Sequence, residues 1–384
     1  MLSPLTSIFQ AACFKLVLYP YHSMKKIDSY ILKKYLTTFL FCLLLFTALV
    51  VVIDISEKTN DFVRSKLPVS KIITDYYFGL VPRIDAMLFP LFVFIAVIFF
   101  TAKMAERSEV IAILSSGVSF RRFLFPYWIG SVFLAVFLWL VYQFVLPKAN
   151  AIWGVFEAKY VDFSPTETRF FPQNYYFRLD SNSYAGIKYY DTTTKTGSNF
   201  FIQKFENNRL KYNIRADNIT WDTASKKWRM NNVIERTLNN EKENLTHHAT
   251  LLKAYNFKPV DLRKDEYLKD RLPTPELKEL IRKEAMRGSE GINSLLVERY
   301  NRDAIPVSVI ILSMIGVCLS SRKVRGGSGF HLAVGVVLSM LYILSGRFSL
   351  VFATKGNFTP FLAAWLPNII FGVLAYFFYR RAAR

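Results

Sequence analysis

Long apolar stretches occupy both ends of this chain, whereas its middle is polar. Most hold about 17 to 25 largely uncharged residues, the length that a helix needs to cross a hydrocarbon layer of about 30 Å. Three precede a polar block that runs from Pro147 to near Asp303, and three follow it. The predicted spans are Tyr35–Ile55, Ile72–Ala102, Phe123–Leu146, Ala304–Ser321, Phe330–Phe352 and Pro360–Tyr379. The pattern predicts an α-helical polytopic membrane protein with an inserted domain.

The polar block has the pattern of short antiparallel strands. Leu210, Tyr212, Ile214 and Ala216 alternate with polar residues, a period of two that is typical of a half-buried strand. Turns are predicted at Asn207-Asn208 and around Asp222–Lys227, and other strand-like segments are Tyr175–Leu179, Tyr184–Tyr190, Asn199–Phe205, Lys227–Thr237 and His247–Ala254. We therefore expect an all-β jelly roll or sandwich. A helix start at Thr274-Pro275-Glu276 and a helical stretch at Ile292–Arg302 lead into the fourth span.

This pattern divides the chain into four parts. They are an N-terminal extension, residues 1–23; a first membrane segment, residues 24–146; the β domain with its helical connector, residues 147–302; and a second membrane segment, residues 303–384. From Met24, apolar residues at helical spacing opposite lysines predict an interfacial helix that turns into the first span. Pro82 and Pro90 predict a kink in the second span.

Basic residues determine the predicted orientation. Four clusters flank the spans: Lys25, Lys26, Lys33 and Lys34; Lys103, Arg107, Arg121 and Arg122; Arg322, Lys323 and Arg325; and Arg380, Arg381 and Arg384. All four face the cytoplasm if both termini are cytoplasmic, as the positive-inside rule requires. The β domain is then extracytoplasmic. Because the clusters explain much of the net charge of +20, that charge does not indicate a nucleic-acid partner.

Few residues indicate catalysis, metal binding or nucleotide binding. The chain lacks GxSxG, HExxH and GxxxxGK[ST] motifs, and its three cysteines are far apart. His247-His248 is an isolated pair in a polar strand. We therefore expect no catalytic residues, no metal and no cofactor on this chain, and any ATP hydrolysis would take place on a separate polypeptide.

The loop between the second and third spans has features of a docking helix. Ala105 to Ser116 fits a short helix, and Gly117 fits the left-handed position after its end. One stripe of this helix is small apart from Glu109, and a neighbouring face is apolar. From composition alone, a docking helix and a solvated connector are equally good interpretations.

Taken in order, several strings resemble the LptF/LptG family of lipopolysaccharide-export permeases from Met24 to Arg384. They are IDSYILKKYL, the proline-containing second span, MAERSEVIAILSSG, NNRLKYNIRADNITWDTASKKWRM, LPTPELKELIRKEAMRG with ERYNRDAIP, and FTPFLAAWLPNIIF. The strand with Trp228, Arg229 and Met230 favours the LptG branch.

The resemblance implies an inner-membrane subunit of an ATP-driven exporter. Its partners would be a cytoplasmic ABC ATPase dimer, a paralogous permease, a periplasmic bridge protein with a jelly-roll domain, and lipopolysaccharide. Spans one and five would line the lipid cavity. The loop helix would seat in the ATPase as a coupling helix, with Glu106, Arg107, Glu109, Ala112, Ser116 and Gly117 as its residues.

Two further sets of residues are candidates for lipid contact. Headgroup contact or cavity lining is predicted for the basic residues Lys58, Arg64, Lys66, Arg83 and Arg347, because intramembrane or external cations need an anionic partner or a cavity. Lysines expected by the resemblance at the outer end of the first span are replaced by Asp54 and Glu57. The candidate acyl-chain path in the β domain is Ile202, Leu210, Tyr212, Ile214, Trp228 and Met230, which would be ordinary core if the domain is closed.

Two other functions remain open at this stage. A permease for lipoproteins or another amphiphile would have the same architecture with a different cargo. A membrane-embedded envelope enzyme with an outer β domain would work without an ATPase and would depend on carboxylates in the outer domain.

Overall fold

The computed structural model describes residues 25–157, 160, 175–180, 182–191, 194–206, 209–239, 242–255, 257–259, 268–287, 291–324, 327–356 and 358–383. Within these residues, six helices are long and apolar enough to cross a membrane, and a six-stranded antiparallel sheet lies between the third and the fourth. The predicted fold class, a polytopic helical protein with an inserted β domain, is therefore confirmed. The N-terminal extension and the turn at 207–208 lie outside the described residues.

The helices are numbered in chain order. The first membrane segment contains α1 (Lys26–Ser65), α2 (Val69–Ile72), α3 (Phe78–Glu106), α4 (Glu109–Ser115), α5 (Phe120–Leu140) and α6 (Leu146–Phe156). Single π-helical stretches, Ile73–Tyr77 and Val141–Val145, join α2 to α3 and α5 to α6. After the sheet come α7 (Leu268–Arg271), α8 (Thr274–Arg287), α9 (Ile292–Ser320), α10 (Gly327–Lys355) and α11 (Pro360–Ala382). We call the six apolar helices spans 1 to 6: α1, Val69–Glu106 (α2 to α3), Phe120–Phe156 (α5 to α6), α9, α10 and α11.

Span 1 is one unbroken helix of 40 residues, so the predicted turn between an interfacial helix and the span is wrong. No glycine or proline stands between Lys26 and Ser65 to interrupt it. The helix ends where Lys66 adopts a left-handed conformation with φ 53°, two residues before Pro68. At 1.5 Å per residue, span 1 is about 60 Å long, which is roughly twice the hydrocarbon thickness.

The loop helix is shorter than predicted. Span 2 continues to Glu106, Ser108 is left-handed with φ 63°, and α4 begins only at Glu109. A single helix from Ala105 to Ser116 is therefore wrong. Ala105 is buried as part of span 2, and Val110 is buried as part of α4, so packing on both sides of the break sets the turn. Gly117 has φ 89°, which confirms its predicted left-handed conformation.

Spans 2 and 4 form the centre of the helical bundle. One face of span 2 packs with spans 1 and 3 in a cluster that includes Phe92, Tyr35 and Tyr127. Another face packs with spans 4 to 6 through Phe94, Ile98 and other residues. Span 2 does not end at Pro82 or Pro90, because both lie inside α3. Every other described span is arranged around this pair.

The β domain is a meander of strands β1 (Tyr175–Asp180), β2 (Ser183–Asp191), β3 (Thr196–Glu206), β4 (Arg209–Asp222), β5 (Lys227–Asn239) and β6 (Lys242–Lys253). Each strand is hydrogen bonded to its neighbours in sequence, in the order β1 to β6. The predicted strands and the turn after Asp222 are thereby confirmed. The buried face collects Ile187, Phe200, Ile202, Ile214, Ile219, Trp228, Met230 and Val233 into one core. That core fixes the register, since a slip by one residue would expose it.

Candidate functional site

Spans 1 and 5 are the two most exposed spans of the bundle. Only 11% of the apolar window of span 1 and 17% of that of span 5 are buried, whereas 61% is buried in both span 2 and span 4. Large apolar side chains are more than 45% exposed along both, among them Leu44, Leu49 and Val52 on span 1, and Met340, Leu344 and Phe348 on span 5. Apolar surface of this extent needs lipid or another apolar partner to cover it.

Spans 1 and 5 both pack against span 2, which lies between them. On one side, Thr47 of span 1 donates a hydrogen bond of 2.7 Å to Asp85 of span 2. On the other side, Arg347 of span 5 approaches the Sδ atom of Met87 at 3.6 Å. We call the exposed side chains of spans 1 and 5, together with the half-exposed Met87, the span 1–span 5 surface.

Arg347 lies in this surface as an exposed cation inside a membrane helix. From the sequence, Arg347 could either line a cavity or pair with an acidic residue. Among the described residues no carboxylate lies within ion-pair distance of it, and its contact is the soft sulfur of Met87. A cation in this position requires an anionic group or water from outside the chain.

The other predicted headgroup residues fall into two groups. Lys58 forms a 2.7 Å ion pair with Glu157 and lies over the ring of Tyr76. The guanidinium of Arg83 stacks on Trp153 at 3.8 Å. Arg64 and Lys66 are exposed at the C-terminal end of span 1. Lys58 and Arg83 therefore have partners within the protein, whereas Arg64 and Lys66 are exposed. The five predicted residues do not form one site.

Asp54 has a structural partner that sequence reasoning did not find. Its two carboxylate oxygens accept hydrogen bonds from the hydroxyls of Tyr76 and Tyr77, at 2.9 and 3.0 Å. These rings pack with Phe62 and Phe156. The C-terminal part of span 1 is thereby attached to the start of span 2. The adjacent tyrosines, Tyr76 and Tyr77, could have indicated such a partner in the sequence, because buried phenol hydroxyls need hydrogen-bond acceptors.

Helix α4 and the residues directly before and after it present the predicted coupling residues at one end of the bundle. Val110 is fully buried and anchors the helix, while Ile111 is 53% exposed beside the exposed Ala112 and Ser116. Glu106, Arg107 and Gly117 are exposed, and the half-buried Glu109 accepts a long hydrogen bond of 3.5 Å from Tyr30. An isolated isoleucine among small side chains gives the helix a shallow, partly apolar docking face.

The predicted acyl-chain path coincides with the core of the β domain. Ile202, Ile214, Trp228 and Met230 are buried, while Leu210 and Tyr212 are half-buried. The indole nitrogen of Trp228 donates a 2.9 Å hydrogen bond to the carbonyl of Phe257, whose ring stacks on the indole. In the described part of the domain, this interior is filled.

Tyr212 and Glu235 form a polar border to that core. The Tyr212 hydroxyl donates a hydrogen bond to Glu235, and the ammonium of Lys253 lies 3.8 Å from the same carboxylate. Burial, reinforced by the Glu235 carboxylate, raises the pKa of Tyr212. The phenol is therefore a neutral donor at physiological pH, and its hydroxyl end is occupied by the protein.

Comparison with protein families identifies the chain directly. A family model described as lipopolysaccharide export system permease LptF/LptG matches residues 29–381. No curated individual protein matches the chain. The match covers all six spans and the β domain, and it leaves the predicted LptG branch a prediction. With its multi-pass helical bundle and inserted antiparallel sheet, the chain belongs to the LptF/LptG family of lipopolysaccharide export system permeases.

Proposed function

We propose that this chain is an inner-membrane permease subunit that accepts lipopolysaccharide along spans 1 and 5, moves it outward with energy from a separate ATPase, and passes it to a periplasmic bridge. The observation that carries the proposal is the exposure of spans 1 and 5 on either side of span 2. Their apolar side chains suit acyl chains, and Arg347 suits an anionic headgroup within the same surface.

The proposed orientation places α4 and both termini in the cytoplasm and the sheet in the periplasm. Three contacts bring described parts of the basic clusters together at one end of the bundle. Asp28 pairs with Arg122, Arg322 donates to the carbonyl of Arg381, and Phe120 lies against Tyr379. Basic ends of spans belong on the cytoplasmic side. Since the sheet follows the third span, it lies beyond the opposite end.

An external energy source follows from the cost of lipid extraction. Removing acyl chains from a bilayer costs about 0.8 kcal/mol for each methylene exposed to water, so several chains cannot leave spontaneously. A covered apolar path lowers this cost, and ATP hydrolysis by a partner supplies the remainder. In this proposal α4 is the element on which the ATPase acts, and no cofactor is bound by this chain.

Passage through the β domain would require its interior to open. Phe257 and Tyr255 cover Trp228, Met230 and Phe200 on the buried face of the sheet. Displacement of this covering segment would expose the predicted acyl-chain path without breaking the sheet. A second permease or the bridge would be the partner that receives the chains.

The composition of the purified complex tests the proposal. The protein is extracted from its native membrane in mild detergent, and the bound proteins and lipids are identified by mass spectrometry. An ATPase dimer, a sister permease and lipopolysaccharide support export. Lipoprotein in place of lipopolysaccharide supports the amphiphile alternative, and a solitary chain with enzymatic activity that depends on an outer carboxylate contradicts export.

Glu109→Ala is expected to weaken attachment of the ATPase while insertion and folding stay intact. The substitution removes one charge from the docking face and only a long hydrogen bond from the fold. Loss of a charged contact should reduce affinity by about tenfold or more, or at least about 1.4 kcal/mol. The measurement is the ratio of ATPase subunit to permease after size-exclusion chromatography.

The matched control is Glu276→Ala, which removes an exposed acid from the first turn of α8 at the other end of the bundle. It should retain the full amount of ATPase. Full ATPase content together with full lipid transport in Glu109→Ala would remove α4 from the proposed coupling role.

A further inference from the structure

An ion pair joins the cytoplasmic ends of spans 1 and 3. Both carboxylate oxygens of Asp28 accept hydrogen bonds from the guanidinium of Arg122, at 2.9 and 2.5 Å. Asp28 is only 3% exposed, although it lies in the first turn of its helix. Two parallel bonds fix the relative orientation of both side chains more firmly than a single contact would.

Arg122 stands directly beyond the loop that carries α4. The loop ends at Ser119, whose hydroxyl caps α5 by accepting from the backbone N–H of Arg122. Gly117 and Val118 are the residues between the end of the α4 turn and this cap. A displacement of α4 is therefore transmitted to the first turn of span 3 through very few bonds.

Helix α4 also contacts the start of span 1. Val110 of α4 packs in one buried cluster with Ile31 of span 1 and Phe123 of span 3. Beside this cluster, the hydroxyl of Tyr30 reaches Glu109. Apolar packing thus joins all three elements, the Tyr30–Glu109 contact joins α4 to span 1, and the Asp28–Arg122 pair joins span 1 to span 3.

The burial along span 1 is uneven. Its buried residues are Asp28, Ile31, Tyr35, Phe39 and Cys42, all in the cytoplasmic half. Tyr35 is held there by hydroxyl contacts of 3.4 Å with Ser131 and 3.2 Å with Ser313. Gly130 makes room for this ring, since a Cβ at that position would lie 2.6 Å from it. The outer half carries the exposed apolar side chains of the span 1–span 5 surface.

We propose that Asp28 and Arg122 are positioning residues that pass the movement of α4 to span 1, so that a small shift at the cytoplasmic end tilts the exposed half of the helix against span 5. The inference rests on the proposed function. Because span 1 is a continuous helix without a glycine or proline hinge, it moves as a rod, and displacement of its seated end is carried to its exposed end.

The test measures the distance between spans 1 and 5 in the complete complex. Spin labels are placed at Leu49→Cys and Leu344→Cys after Cys13, Cys42 and Cys318 are replaced by serine. Distances are recorded without nucleotide and with ATP plus vanadate. In the parent we expect a nucleotide-dependent change. In Asp28→Asn we expect that change to be lost and ATP-driven release of lipopolysaccharide to fall about tenfold, within the roughly 5- to 150-fold range of couplings between sites, with the ATPase content unchanged.

The matched control is Asp303→Asn. It removes another carboxylate that bridges two spans, since Asp303 accepts from Arg299 and from the indole of Trp139. This variant should keep the nucleotide-dependent distance change. If Asp28→Asn does not assemble, Arg122→Lys takes its place, because it keeps the charge and loses the two-point geometry.

A full distance change in an assembled Asp28→Asn or Arg122→Lys complex would overturn the inference, as would a parent complex that releases lipid without any change. A parent that carries no ATPase and releases no lipid would instead refute the proposed function. If the role of the pair is purely structural, the variant will melt at a lower temperature, but its folded molecules will still show the nucleotide-dependent distance change. That result also counts against the inference.

Discussion

Ile214→Glu is expected to open the β domain, with a loss of more than about 4 kcal/mol in the stability of the sheet. Ile214 is fully buried at the centre of β4, between Ile202 of β3 and Glu235 of β5 in the register of the sheet. The new carboxylate at position 214 would be desolvated and would lie beside the Glu235 carboxylate on the neighbouring strand. Hydrogen exchange of the β3, β4 and β5 amides in the full-length protein should accelerate by about a thousandfold.

Ile234→Glu is the matched control, because it places the same charge on the same sheet at an exposed position. Ile234 is 36% exposed, and its cross-strand partner is Arg215. A glutamate opposite an arginine is accommodated or slightly favourable, so exchange should change by less than about threefold. Equal exchange rates in the two variants would show that the face with Ile214 is solvated and that the sheet has no closed core.

Arg302→Leu is expected to destabilise the junction between the membrane bundle and the β domain by about 3 to 5 kcal/mol. Arg302 is 1% exposed, and its guanidinium pairs with Glu298 at 3.2 Å. The same group donates 3.0 Å hydrogen bonds to the hydroxyl of Thr274 and the carbonyl of Lys269. Leucine would leave all three acceptors without this donor in a buried site. Thermal unfolding in detergent measures the effect.

Arg299→Leu is the matched control one turn earlier on the same helix. Arg299 pairs with Asp303 at the partly exposed surface of span 4, and such pairs contribute at most about 1 kcal/mol. The double variant Glu298→Leu with Arg302→Leu should recover part of the loss, because it also removes the carboxylate left behind. If Arg302→Leu unfolds at the same temperature as Arg299→Leu, the buried network does not hold the junction.

Further hydrogen bonds at this junction connect the helices that precede span 4 to span 3. Thr274 also donates to Gln143 in the π-helical stretch of the third span, and Asn150 donates to the carbonyl of Asp270. Burial raises the pKa of Asp270. Together with the hydrogen bonds of Arg302, the bonds of Gln143 and Asn150 tie α7 and α8, which connect the sheet to the bundle, to spans 3 and 4. A firm connection would keep the outlet of the membrane path aligned with the β domain.

The membrane spans and the strands could be predicted because each depends on a local pattern. Uninterrupted apolar length marks a span, and the alternation from Leu210 to Ala216 marks a strand whose inner residues, such as Ile214, are buried in the structure. The left-handed Gly117 was predictable for a similar reason, since glycine after a short helix is a local signal. Patterns of this kind require no knowledge of distant contacts.

Features that depend on tertiary contacts could not be predicted. The break at Ser108 separates two segments that each favour a helix, and only the burial of Ala105 and Val110 fixes it. Asp54 was interpreted as a departure from the expected basic pattern, whereas the structure makes it the acceptor for two tyrosine hydroxyls. No spacing rule links it to residues more than twenty positions away. The filled β interior likewise depends on Phe257, which lies beyond the last strand.

The most direct test of the account is the capture of lipid by photoreactive side chains in the assembled transporter. The photoreactive residue replaces Leu49 on span 1, Leu344 on span 5, or Phe133, which is 60% exposed on span 3. We expect lipopolysaccharide to be cross-linked at positions 49 and 344, in an amount that decreases when ATP is added, and only ordinary phospholipid to be cross-linked at position 133. Equal capture of lipopolysaccharide at position 133, or none at positions 49 and 344, would contradict it.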